Sequence, residues 1–359
     1  MNPVLTGHVY DKNRDFFNSG EIWIEAGTYT PDTHEFVKHI DPPSDAPHLS
    51  TMNATEILSY CQEVLMPLLD GCELTEKQVE KKLPLFAANI ILLPNNYAFY
   101  SVKMSHSVGD GVTFFQIVKQ ISMHMSGLDV SRIEWDNPLK PTHEFYPDSF
   151  SQRDAEISYG APFMIGLLKN FFTLSLRRQH ILLLSKSKIS QKKRELRAAS
   201  GSNDVSSNDI ITAALCEANQ STDIFVFTEN VRGIKNGVPR NAGGNFIWEV
   251  PVSRTACANP MQVRHSVSNG EYYATDELPI QPFLCGKVGR LTSLASITEK
   301  IIFKGTEIVC QLPFQSFIKE LPLDVAVIFR FSDRYWGVLH NFSQFEMSGL
   351  LSEIVSNGE

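Results

Sequence analysis

Residues 97–106 read Tyr-Ala-Phe-Tyr-Ser-Val-Lys-Met-Ser-His and run directly into Ser107-Val108-Gly109-Asp110-Gly111. Side chains alternate across a strand, so Ala98, Tyr100, Val102, Met104 and His106 share one mostly apolar face, and the pattern predicts that His106 ends an inward-looking row. Gly109 and Gly111 then break the strand. Phe114, Ile117, Val118, Ile121 and Met125 follow at the spacing of an amphipathic helix, which leaves one imidazole at a strand-to-helix turn. A satisfied core histidine at a strand end is the plainer alternative. Metal ligation fits less well: His and Asp four apart clamp a metal from one helical face, the glycines oppose a helix here, and no third ligand is near in sequence.

The composition sets the broad class. A chain of 359 residues, 43% hydrophobic and 20% charged, is ordinary for a globular protein and long enough for one large or two medium domains. Its net charge of -8 argues against a general nucleic-acid binder, which presents a basic surface to phosphates. Six cysteines without CxxC pairs read as reduced core residues. The first residues, MNPVLTGHVYDKNRDF, carry no basic-then-apolar leader, and no stretch approaches the roughly 18 apolar residues of a membrane span. A cytoplasmic location is the expectation.

Along the chain, Glu21–Tyr29 reads as a strand, His39–Pro47 as a loop, and Asn53 or Thr55 as the cap of a helix through Leu65. Thr75 opens a short helical stretch, and the prolines of Asn137–Pro147 mark a linker. Residues 161–176, APFMIGLLKNFFTLSL, read as a core or crossover helix, with a lipid-contacting helix as the sharper alternative. Ser185–Arg197 carries six basic residues against one glutamate. A solvated helix face explains it; the functional alternative sets Lys192, Lys193 or Arg194 against the phosphates of a carrier such as coenzyme A. Ala198–Asn203 reads as flexible. Ser206 or Ser207 caps a further helix, Ile224–Phe227 is a strand, Val325–Phe331 and Tyr335–Leu339 form a hairpin, and Met347–Val355 is a final helix.

The stretch His106-Ser107-Val108-Gly109-Asp110-Gly111 resembles HxxxDG, the motif of the superfamily that holds chloramphenicol acetyltransferase, the plant BAHD enzymes, peptide-synthetase condensation domains and the wax ester synthase/diacylglycerol acyltransferases. Ser105 stands where many members have a first histidine; the second, which acts in the family, is retained. Three further stretches follow in the family's order: Val205–Ala214, Asn230-Val231-Arg232 with Gly244-Asn245 after it, and Thr292-Ser293 with the hairpin beyond Leu321. The last branch is the most similar, and the DFGWG pentapeptide of the BAHD branch is absent.

The resemblance implies an α/β (α+β) fold of two chloramphenicol acetyltransferase-like subdomains, each a mixed sheet backed by helices, with the active-site tunnel between them. The expected division is a first half at 1–140, a crossover at 141–204 and a second half at 205–359. The implied activity moves an acyl group from a thioester donor, acyl-CoA, to an alcohol acceptor. His106 would be the general base, and Asp110, Arg232 and Gly111 would support it, with Asp110 paired to Arg232 and turned away from the tunnel. Ser293, Thr292 and Asn245 are oxyanion or tunnel candidates. No permanently bound cofactor and no metal are expected; acyl-CoA is a co-substrate. Two alternatives stand beside this: a condensation-type transfer to an amine, fed by an acyl carrier protein, and a noncatalytic lipid- or partner-binding protein that keeps the fold. Peripheral contact with a membrane or lipid belongs to the same expectation.

Overall fold

The computed structural model describes residues 8–11, 22–25, 37–65, 68, 86–94, 96–104, 106, 108–129, 133, 157–158, 160–172, 179–201, 205–233, 238–257, 259–269, 279–298, 308–313 and 321–356. The helical stretch expected from Thr75 and the linker at 137–147 lie outside the described residues.

Two small sheets come first. Strands β1 (His8–Asp11) and β2 (Ile22–Glu25) pair antiparallel. Strand β3 (Val37–Ile40) runs parallel to β4 (Phe86–Leu93), which returns through Asn96, at φ 63, into antiparallel β5 (Tyr97–Met104). Asparagine tolerates that left-handed turn position better than most residues. Between them, helix α1 (Ala54–Tyr60) opens on a capping box: the Asn53 side chain accepts from the backbone of Thr55 and Glu56, and the Glu56 carboxylate accepts from the Asn53 N–H. The helix continues as a wider turn at Cys61–Leu65 and buries Ile57, Leu58, Cys61 and Leu65.

Strand β5 does not turn the expected face inward. Ala98 and Tyr100 are exposed, whereas Tyr97 and Phe99 pack against Ile91 and Leu93, their opposite or neighbouring residues on β4. The reason is layer order. β5 is an edge strand of a three-stranded sheet, and α1 covers only the side that carries Ile91 and Leu93. His106 therefore stands past the end of β5 on an open turn and is exposed, not the inward end of a buried row.

Helix α2 (Gly111–Met125) follows that turn, then α3 (Ala161–Phe171), β6 (His180–Ser185), α4 (Lys186–Ser200), α5 (Ser207–Ala218), β7 (Ile224–Asn230), β8 (Ile247–Ser253), α6 (Pro260–Asn269), α7 (Ile280–Leu284), β9 (Val288–Ser293), β10 (Asp324–Arg330), β11 (Tyr335–His340) and α8 (Gly349–Ile354). The six strands from β6 onward form one mixed sheet in the order β6-β11-β10-β9-β7-β8, with β9 parallel to both neighbours and the other pairings antiparallel. β6 and α4 come from the stretch expected as a crossover, and the sheet takes β6 as its edge. The expected hairpin is β10 with β11, and the expected strand at Ile224 runs on to Asn230.

Alternation along these strands makes two apolar faces. One carries Phe225, Phe227, Leu291, Ala326, Ile328 and Val338 and packs on α5. That helix is buried on nearly every side, with Ile210, Ile211 and Leu215 wholly enclosed, each worth about 1.5–3 kcal/mol of burial. Its start is held by Ser206, which accepts from the Asp209 N–H while the Asp209 carboxylate accepts from the Ser206 N–H. The other face carries Leu183, Val325, Val327, Phe329 and Leu339 and receives Leu58 of α1, Phe115 of α2, and Phe163 and Leu167 of α3. This second contact places the first part of the chain on the sheet. Ala198–Ser200, expected to be flexible, continue α4 until Gly201, at φ 69, ends it.

Helix α3 is docked by close backbone approach. A side chain at Gly166 would meet the Phe283 carbonyl at 2.0 Å, and the Asn170 amide donates to the Gly286 carbonyl at 2.7 Å. Its far side carries Met164, Ile165, Leu168 and Phe171, all exposed. No helix of the described residues is long and apolar enough to cross a membrane.

Candidate active site

Asp110 is the N-cap of α2: its Oδ1 accepts from the Thr113 N–H at 3.0 Å, which supplies a donor-rich helix start with a carboxylate. Its remaining capacity is filled from the other part of the chain. Arg232, two residues past β7, donates Nη1 to Oδ2 at 2.8 Å and Nη2 to Oδ1 at 3.1 Å, and the Phe246 N–H adds a further bond to Oδ2 at 2.9 Å. Both side chains are almost wholly buried, at 1% and 3% exposure.

Burial of such a pair is costly unless every hydrogen-bonding position is used. Here the guanidinium also donates to the carbonyls of Ala242 and Gly244, each at 2.7 Å, to Asn230 Oδ1 at 2.9 Å and to Thr113 Oγ1 at 2.9 Å, and it lies over the Phe246 ring. The Gly244 carbonyl also accepts from the Asp110 N–H and the Thr113 hydroxyl, so the 110–113 turn and the 242–246 turn are laced into one unit. The linear pattern did not single out Thr113, whose hydroxyl completes this unit. Its only signal was its place three residues after the capping aspartate, where a hydroxyl reaches across the helix start.

His106 stands four residues before Asp110, ahead of this unit. Its ring is exposed, no side chain among the described residues hydrogen bonds to it, and its backbone carbonyl accepts from Asn245 Nδ2 at 3.1 Å. Asn245 belongs to the same 242–246 turn, and its Oδ1 is buried without a partner among the described residues. Asp110 is thus committed to Arg232 and the helix start rather than to the imidazole. The arrangement leaves an exposed imidazole on a turn held by buried hydrogen bonds.

The turn sits at the carboxyl ends of β7, β9 and β10, the parallel strands of the sheet, where open α/β sheets commonly bind ligands. Gly111 comes close to the end of β9: a side chain there would meet Leu294 Cδ2 at 2.8 Å. Thr292 and Ser293 precede Leu294 and diverge. Thr292 shares the face of Val288 and Val327, with its hydroxyl 3.1 Å from that of Thr228, while Ser293 shares the face of Leu291 and accepts from the Ala295 N–H at 3.4 Å. Farther along the Thr292 face, Arg290 pairs with Glu249 at 3.0 Å beside a small pocket also lined by Ser158, Phe163, Val226 and Val288.

The α4 cations lie elsewhere. Ile189 of α4 joins the core on the α5 face, opposite the face that receives α2. Lys192 is bound by Glu353 of α8 at 2.7 Å, Lys193 is half-buried and Arg194 is exposed. Lys186, at the start of the same helix, sits over the Trp336 ring, and burial holds its ammonium down to about 8. The described residues contain no group of three or more metal-ligating side chains.

Solved structures with this architecture include vinorine synthase, 13% identical with a TM-score of 0.58 over 99% of this chain and 82% of that one. The TRI101 protein of F. sporotrichioides, solved with coenzyme A and T-2, is 12% identical with a TM-score of 0.53 over 99% and 86% of the two chains. The first condensation domain of the CDA synthetase is 10% identical with a TM-score of 0.52 over 95% and 78%. The fold is the two-part chloramphenicol acetyltransferase-like one. Its mixed sheets backed by helices are what the motif's resemblance led us to expect. No protein-family model and no curated protein sequence matches the chain.

Proposed function

We propose that the protein is an acyltransferase that moves an acyl group from a thioester donor, acyl-CoA, to an alcohol, with His106 as the general base. The observation that carries this is an exposed imidazole on a turn pinned by a buried, fully hydrogen-bonded Asp110–Arg232 pair. The HxxxDG stretch and the coenzyme A complex of a structural neighbour support the same reading.

In the proposed reaction His106 takes the proton of the acceptor hydroxyl as that oxygen attacks the thioester carbonyl. A tetrahedral intermediate forms, the carbon–sulfur bond breaks, and the proton leaves with the thiolate as the free thiol. An imidazole can take up the proton at one ring nitrogen, and a positioned proton transfer contributes about 10²–10⁴ in rate. The sequence holds no G-x-S-x-G nucleophile elbow, and the proposed transfer is direct, without ping-pong kinetics. Asp110, Arg232 and Gly111 hold the turn. Asn245 fixes the His106 backbone, and Thr292, at a parallel strand end, is the better placed of the two hydroxyl candidates for the developing oxyanion, with Ser293 on the opposite face. The α4 cations, on the α5 side of the sheet and away from the His106 turn, have no part in this reading. The division at 1–140, 141–204 and 205–359 is part of this reading, with the crossover supplying the edge strand of the second half. The structural likeness to a condensation domain favours a second reading, transfer to an amine from a donor carried on an acyl carrier protein.

The test is incubation of the pure protein with a panel of acyl-CoAs and alcohols, following thiol release, alongside His106→Ala. Release that depends on His106 is expected. Transfer only from a carrier-bound donor selects the second reading, and binding without release by the unaltered protein selects a noncatalytic lipid- or partner-binding role.

A further inference from the structure

Cys61 and Cys310 are far apart in the chain and meet in the fold. Cys61 follows α1 in a buried cluster with Ile57, Leu65, Ile91 and Leu93, and Cys310 packs with Leu312 against that cluster and against the sheet-face cluster of Leu183, Val327 and Phe329. The two side chains thus share one apolar cluster, close enough that each shifts the other's acidity. The next residue, Gln311, donates its N–H to the Phe331 carbonyl at 2.7 Å, which ties the stretch to the end of β10. The pair therefore spans from the layer of α1, β4 and β5 to the six-stranded sheet. A second pair, Cys216 and Cys257, shares the core cluster on the α5 face but is wholly enclosed, at 0% exposure each, whereas Cys310 is partly exposed.

We propose that Cys61 and Cys310 form a reversible disulfide site that locks the three-stranded layer onto the six-stranded sheet. The oxidant is a small peroxide. The Cys61 sulfur attacks one peroxide oxygen, the O–O bond breaks, and a sulfenic acid and water result; the Cys310 thiol then displaces the sulfenic oxygen as a second water, closing the S–S bond. Two thiols lose two electrons and two protons, and one hydrogen peroxide becomes two waters. The neighbouring Cys310 lowers the Cys61 thiol below its ordinary pKa and so favours its thiolate, and the partly exposed Cys310 supplies the way in. The lock matters to the candidate site because His106 follows β5 of one layer, while Arg232 and Asn245 belong to the other. The proposal stands apart from the acyl-transfer reading, since neither thiol touches the His106 turn's hydrogen bonds.

The test treats the full chain with near-stoichiometric hydrogen peroxide, blocks remaining thiols after unfolding, and maps peptides without reduction. A single Cys61–Cys310 linked peptide is expected, removed by dithiothreitol and absent from Cys310→Ser and from Cys61→Ser, with Cys216 and Cys257 recovered as thiols. The unfolding midpoint of the oxidised protein should exceed that of the reduced protein by several degrees. Oxidation of Cys310 to a sulfinic acid with Cys61 left as a thiol, or a link from Cys310 to Cys285 or to a second copy of the chain, overturns the proposal. Should Cys61→Ser fail to fold, Cys310→Ser and the peptide map of the unaltered chain decide.

Discussion

Because the His106 ring is exposed and makes no side-chain hydrogen bond among the described residues, its removal costs the fold almost nothing. His106→Ala should therefore lower acyl transfer by about 10²–10⁴ while the unfolding midpoint stays within a degree or two, a pairing of results that assay and thermal melt read together. Asp110→Asn acts in the opposite way. It leaves Arg232 charged and buried with half its partner's capacity gone, and a loss of about 3–5 kcal/mol in denaturant unfolding is expected. Activity should fall only as far as the turn loosens. The roles at this scale were readable in part: the spacing from His106 to Asp110 is in the linear string, but the acceptors that saturate Arg232 come from residues 230–244 and meet it only when two turns fold together.

Elements show where local pattern loses to layer order. β5 alternates as a half-buried strand should, yet the side that carries Ala98 and Tyr100 is the open one, because α1 covers β4 and β5 from the other side. Periodicity tells that a strand has two unlike faces; which is covered depends on a helix forty residues away. Caps were more legible, since Asn53 and Ser206, each among the candidates read from the sequence, satisfy helix donors within three residues of themselves, whereas Asp110 emerges as a cap only in the structure. The docking of α3 rests on an absent side chain, and Gly166→Val should displace the helix from the Phe283 carbonyl and lower the melting temperature markedly. β11 carries a pH-sensitive residue. Burial, reinforced by the neighbouring His180, holds His340 down to about 4, and its ring packs among Phe342 and Phe345. The unfolded chain takes up that proton near pH 6.5, so stability is full above pH 6.5 and is lost as pH falls from there toward about 4, by ~3 kcal/mol at most. Denaturant midpoints across that window should show the slope, and His340→Leu should flatten it.

At the scale of the molecule, the six-stranded sheet joins parts that the chain order separates. β11 pairs along its full length with β6, from Tyr335 with Ser185 to His340 with His180. A fragment of residues 205–359 would leave that strand edge bare and remove Leu184 and Ile189 from the core, so it should aggregate on expression instead of unfolding cooperatively, as solubility and a thermal scan will show. The chain's own string was enough to reveal alternating strands and helices in two parts, the helix caps, and a histidine at a strand-to-helix turn, since each of these depends on residues a few positions apart. Which face of β5 is covered, how a buried Asp110 finds Arg232, and why His106 is left open to solution follow from packing between distant segments. No neighbour-to-neighbour spacing encodes that packing, because desolvation and hydrogen-bond saturation are settled only once both layers are in place.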